Sequence, residues 1–217
     1  MSVALLNKNT DISQLEIDLL DDKNILKVVP AEYYARVRQD VLAVFCHKHG
    51  IYTLPTTELV EWLKPHVAHK NAIEIGAGVG AIGRALRIPI TDSCYMRTNA
   101  EVSAYYALMG QPVTEYPEDI EELNAVAAVD KYKPEVVIGS WITHRYTVER
   151  AELGGNAYGV DEGYVLKNVR KYIMIGNDQV HRLKPLLDLP HEEHYFDWLY
   201  SRSMSGRPNV IFVWESK

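Results

Sequence analysis

Residues 71–86 read NAIEIGAGVGAIGRAL. A short β-branched run passes straight into clustered glycines and then into a segment with helical spacing. That is the opening of a β–α unit, and it commits the chain to a parallel sheet if strands and helices go on alternating. They do. IPITDS reads as a second strand, with Pro89 near its start, where a missing donor is tolerated. TNAEVSAYYALMG reads as a helix with a capping box, Thr98 and Glu101, and a stop at Gly110. PVTEY is the third strand, EDIEELNAVAAVDKY a helix, EVVIGSW the fourth strand, DEGYVLKNVRKY a helix and YIMIGN the fifth strand.

The tail breaks the rhythm. HYFDWLYSRS and NVIFVWES are separated only by MSGRP, too short for a crossover helix, so they are expected to pair antiparallel. The whole is an α/β chain: a doubly wound, mostly parallel seven-stranded sheet with a C-terminal antiparallel hairpin and an N-terminal helical extension. Its ligands should bind at the carboxyl ends of the strands.

Before the first glycine come PAEYYARVRQDVLAVFCHKHG and LPTTELVEWLKPHVA, two helices by apolar spacing, the second capped by Thr56 or Thr57. Residues 1–27 are acidic, with scattered Leu and Ile, and read as a short helix or a poorly ordered arm. This divides the chain into a helical segment, 1–70, placed to cover an active site, and a Rossmann-like domain, 71–217.

Composition excludes several classes. Lys plus Arg number 23 against 29 Asp plus Glu, a net charge of −6 that disfavours a surface built to grip phosphates. Cys46 and Cys94 form no C-x-x-C pair and imply no disulfide framework, which fits a reducing, cytoplasmic setting. The start contains an apolar patch of only four residues, so neither a signal peptide nor a membrane span is expected. HKH, HVAH and HEEH lack metal-ligand spacing and cysteine support, so no metal is expected.

The glycine loop carries two fingerprints. Gly76, Gly78 and Gly80 give G-x-G-x-G behind the acidic Glu74, while Gly78, Gly80 and Gly83 give G-x-G-x-x-G. Glycine permits a sharp turn and close approach of a ligand to the backbone, and amides at a helix start favour anionic or polar groups. On these residues alone the ligand is either an adenosyl group or a dinucleotide pyrophosphate.

EIGAGVG resembles the first motif of the class I, Rossmann-like family of S-adenosylmethionine-dependent methyltransferases, and the resemblance extends to element order and the terminal hairpin. It implies S-adenosylmethionine as cofactor, held by Glu74, Gly76, Ala77, Gly78 and Gly80. It also implies that Asp92, eighteen residues after Glu74, accepts hydrogen bonds from the ribose hydroxyls, and that Tyr116 and Ser140 lie beside the cofactor. Two rival readings stand beside it. One is an NAD(P)-dependent oxidoreductase using the overlapping G-x-G-x-x-G, and the other a non-catalytic adenosyl-cofactor-binding module.

Acceptor chemistry would come from the loops after the fourth and fifth strands, GSWITHRY and GNDQVHR. His144 and His181 are the candidate general bases, since imidazole titrates in the useful range. Trp141, Tyr146 and Asn177 are candidate substrate contacts. The Asp/Asn-Pro-Pro-aromatic run of amino-methylating DNA enzymes is absent, as is a Pro-Cys pair. A small-molecule or protein acceptor is therefore expected rather than nucleic acid or a membrane. The long connection THRYTVERAELGGNAYGVDE carries Gly154, Gly155 and Gly159, which would permit movement, and Arg145 and Arg150, which could meet an anionic substrate.

Overall fold

A computed structural model describes residues 7, 9–111 and 113–216. The four-residue apolar patch at 3–6 and Pro112, which opens PVTEY, lie outside the described residues.

In chain order the elements are α1 (Ser13–Leu19), α2 (Ala31–Ala35), α3 (Gln39–Lys48), β1 (Thr53–Leu54), α4 (Thr57–Val67), β2 (Ala72–Ile75) and α5 (Ala81–Leu86). There follow β3 (Thr91–Asp92), α6 (Tyr95–Thr98), α7 (Ala100–Leu108), β4 (Glu121–Glu122), α8 (Ala125–Tyr132) and β5 (Val136–Ser140). The last are α9 (Glu162–Asn168), β6 (Lys171–Asn177), α10 (Asp178–His181), β7 (Glu192–His194), β8 (Tyr200–Ser201) and β9 (Asn209–Glu215).

The central sheet has five strands in the order β2-β5-β6-β9-β7. The pairs β2–β5 and β5–β6 are parallel, and β9 lies antiparallel between β6 and β7. A separate parallel pair, β3–β4, runs beside β2 through a single bridge between Glu74 and Ile90. Helices cover both sheet faces, so the strands are apolar on consecutive residues. Ile73, Val137, Tyr172 and Met174 turn towards α8 and α9, while Ala72, Val136, Ile138 and Ile173 turn towards α4 and α5. The N-terminal helices build their own cluster from Leu19, Tyr34, Leu42, Phe45 and Leu54, which meets the sheet's layers at Ala81, the first residue of α5.

Several local expectations shift. PAEYYARVRQDVLAVFCHKHG is two helices, because Arg38 is extended and α3 starts at Gln39, whose side chain donates to the carbonyls of Ser201 and Ser203 at 2.8 and 2.9 Å. The cap of α7 is Asn99, accepting from the amides of Glu101 and Val102. Thr98 already belongs to α6 and its hydroxyl donates to Cys94 O.

The third strand is Glu121–Glu122, within the stretch read as the start of a helix, and not PVTEY. Residues 113–116 join no ladder; Thr114 is packed on Gly50, where even a Cβ would approach Thr114 Cα to 2.9 Å. The tail pairing also differs. β9 pairs with Glu192–His194, while residues 195–208 leave the central sheet and β8 pairs with β1. Phe196 and Trp198, stacked at 4.2 Å, join Trp62 of α4 instead of forming ladder rungs.

Candidate functional site

A cavity of about 370 Å³ opens at the carboxyl ends of β2, β3 and β5. Gly76, Gly78 and Asp92 form one wall, and Ser140, Trp141, Ile142 and Thr143 after β5 form a second. A third is aromatic, with Tyr52, Tyr95, Tyr105, Tyr106 and Tyr116, and residues 156–160 close the mouth.

The glycine wall is set by backbone geometry. Gly76, Gly78 and Gly80 all have φ between +55° and +69°, which side chains rarely adopt. A Cβ on Gly76 would also approach Ile142 Cδ1 to 2.6 Å. Asp92 then ties this turn to β3. Its Oδ2 accepts from Gly78 N at 2.9 Å and its Oδ1 from Cys94 N at 2.8 Å. Each oxygen keeps acceptor capacity. Burial pushes the Asp92 carboxyl above its ordinary range, opposed by the two amides and by Tyr116 and Ser93.

Glu74 lies behind the loop. Its Oε2 accepts from Gly83 N at 2.8 Å, and it lines a smaller cavity of about 50 Å³ together with Ala77, Gly76 and Gly78. With 2% of its surface exposed, its carboxyl is pushed up to about 8 by burial, against the opposing pull of the Gly83 amide. Glu74 and Ala77, expected at the cofactor, line this smaller cavity, which shares Gly76, Gly78 and Ser140 with the larger one.

On the opposite wall, Ser140 lines the cavity with its hydroxyl 2.7 Å from Thr53 Oγ1. Trp141 has φ +55°, a conformation costing a bulky residue about 1–3 kcal/mol. Its Nε1 is buried without a partner. Strain and an orphaned donor thus meet on one residue of the cavity wall.

The two histidines do not line the cavity. His181 is 6% exposed, its ring edge-on behind Trp141 at 5.3 Å, and its Nδ1 accepts from Asn177 N at 3.0 Å. Burial and the nearby Lys184 push its pKa down to about 4, so the ring is neutral. His144 is half-buried under the 154–160 segment, with Nε2 orphaned, and a Cβ on Gly155 or Gly159 would collide with His144 atoms. Asn177 caps α10 and its amide donates to Arg207 O and Pro208 O, a structural role away from the cavity. Tyr146 is 40% exposed and also outside the lining. Arg150 is paired with Asp188 and Glu152.

Sequence reasoning missed Tyr52, Tyr95, Tyr105 and Tyr106, while residues 156–160 fall in the long connection it singled out. Adjacent tyrosines in SAYYALMG carry no motif, and only the fold brings them to the cavity, Tyr105 remaining half exposed. Among the described residues no group of three or more His, Cys, Asp or Glu could hold a metal, and no helix is long and apolar enough to cross a membrane.

No family model matches this chain, and no curated protein matches it. Among solved structures it is similar to a human methyltransferase 10 domain-containing protein, at 12% identity and TM-score 0.36, over 79% of this chain and 91% of that one. It is similar to a Thermoplasma acidophilum protein at 12% identity and TM-score 0.36, over 86% and 95%. The METTL16 methyltransferase domain is similar at 12% identity and TM-score 0.36, over 82% and 80%.

Proposed function

We propose that the cavity binds S-adenosylmethionine and that the protein transfers its methyl group to a small-molecule or protein acceptor. The observation that carries this reading is Asp92: a buried carboxylate on the cavity wall, fixed by Gly78 N at the end of the strand after the glycine turn, where ribose hydroxyls would replace its side-chain neighbours Tyr116 and Ser93 as donors. Counting the Glu74–Ile90 bridge, the strands line up as β4-β3-β2-β5-β6-β9-β7, which supports the seven-stranded arrangement expected from the sequence.

The residues present fit the cofactor. Gly78, with no atom nearer than Thr114 Cγ2 at 3.9 Å to where its Cβ would lie, leaves the backbone open to a ligand, and Asp92 would hold the sugar. Tyr116 belongs to the aromatic wall and stands close to the Asp92 carboxyl, which suits a planar base beside the sugar. Bound there, the sulfonium supplies an activated methyl group. Aromatic rings around a cation stabilise it and keep water away. At about 370 Å³ the space is near the low end for ligand sites, about 300–1,000 Å³. An acceptor would therefore enter past the 156–160 segment.

No histidine stands on the described wall, so its contribution is positioning more than proton abstraction, and the acceptor brings its own lone pair. The same observation favours a second reading, a module that binds the cofactor without transferring from it. Residues 1–70 supply Tyr52 to the wall, which supports their reading as a cover. Incubation with methyl-labelled S-adenosylmethionine and separate small-molecule and protein fractions tests the proposal. Enzyme-dependent label in one fraction is expected; no label in any, with the cofactor bound, would leave the module reading.

A further inference from the structure

Ile142 sits between the two walls of the cavity. Its side chain is wedged against both Gly76 and Gly139, where added Cβ atoms would come within 2.6 and 2.7 Å of it. Its carbonyl accepts from Lys184 Nζ at 2.9 Å. Lys184 is ion-paired with Glu162, and Glu162 Oε1 accepts from Tyr172 OH at 2.8 Å. All three side chains are buried, at 3%, 4% and 0% exposure, and none lines the cavity.

A buried ion pair is a poor device for stability, because desolvating two charges offsets their attraction. What it supplies is fixed geometry. The pair joins the loop after β5, the start of α9 and the segment after α10. Glu162 N also donates to Val160 O at 3.0 Å, and Val160 N to Thr143 O at 2.8 Å, so the same corner holds the mouth segment.

We propose that Lys184, oriented by Glu162 and Tyr172, is a positioning residue for the cavity: by holding the Ile142 carbonyl it keeps the Ile142 side chain seated on Gly76 and couples the strained Trp141 wall to the glycine turn. The ligand's identity in this proposal rests on the adenosyl-cofactor reading, while the coupling of the two walls does not.

The test is the variant Lys184→Met/Glu162→Leu/Tyr172→Phe, which removes the charges and the hydroxyl together and leaves no isolated buried ion. Its thermal midpoint should stay close to that of the wild type, because the unpaired Ile142 carbonyl costs what relief from desolvating the ion pair returns. Affinity for S-adenosylhomocysteine should fall about tenfold or more, and amide exchange should quicken at both 76–80 and 141–144. A folded variant with unchanged affinity and unchanged exchange in both segments overturns the proposal. Should the wild type bind no S-adenosylhomocysteine, the cofactor reading fails, and exchange alone decides the coupling. If the triple variant does not fold, Lys184→Arg keeps the charge but displaces the donor. It should show the same loss and the same exchange, and wild-type behaviour would overturn the proposal.

Discussion

The amide of Gly83 donates to Glu74 Oε2 at 2.8 Å, and a Cβ at position 83 would lie 2.6 Å from that same oxygen and 2.4 Å from Ile90 Cγ2. Glycine stands there because strand and helix approach closely, with a buried carboxyl between them. The third glycine of G-x-G-x-x-G is therefore explained by packing and does not distinguish a dinucleotide from an adenosyl ligand. Gly83→Ala should cost about 1–3 kcal/mol by overpacking, read from urea unfolding. Wild-type stability would mean Glu74 can simply swing aside.

Glu74 also makes stability depend on pH. Its folded-state pKa of about 8 lies above the ordinary 4.5, so the native state holds the proton more tightly than the unfolded chain. Its contribution is intact below about 4.5 and is lost as pH rises towards about 8, amounting to a few kcal/mol at most across that window. Unfolding free energies measured at about pH 5 and about pH 8 should show this decline. Glu74→Gln should flatten it, and an unchanged slope would assign the decline to other groups.

His181 has the opposite sign. Its pKa is depressed to about 4 from 6.5, so the unfolded chain takes the proton first and stability is lost as pH falls between those values. Its imidazole resonance should stay neutral in NMR titration down to about pH 4. A midpoint near the ordinary value would show the ring exposed. His181→Ala should lower stability, because Asn177 N loses its acceptor, while cofactor affinity stays nearly intact.

Asp92→Asn should weaken adenosyl-cofactor binding tenfold or more, corresponding to about 1.5–3 kcal/mol for hydrogen bonds to a charged group. A fold cost accompanies it. Asparagine replaces one acceptor oxygen with an NH₂ facing either Gly78 N or Cys94 N, about 1–3 kcal/mol for one unpaired buried amide. Unchanged binding would make Asp92 only a brace for the turn.

The fold was readable where burial writes itself into residue type. Ile73, Val137, Ile138 and Ile173 sit in strands covered on both faces, and their runs of β-branched residues announce it. Boundaries set by distant partners were not readable: Gln39 reaching Ser201 and Ser203 to start α3, or Thr114 packed on Gly50 outside any ladder. Of the site, the glycine turn and Asp92 were legible because their chemistry is local in sequence. The tyrosine wall was not, since Tyr52, Tyr105 and Tyr158 meet only through the tertiary fold. That His144 and His181 stand outside the cavity lining was not legible for the same reason: a histidine's chemistry is plain in the sequence but its burial is not.

Titration calorimetry of the wild-type protein with S-adenosylhomocysteine and, separately, with NAD decides which ligand the cavity takes. S-adenosylhomocysteine should bind one-to-one in the cavity that Asp92 and the glycine turn share, with NAD bound far more weakly or not at all. Tight NAD binding together with no heat from S-adenosylhomocysteine would contradict the adenosyl-cofactor reading.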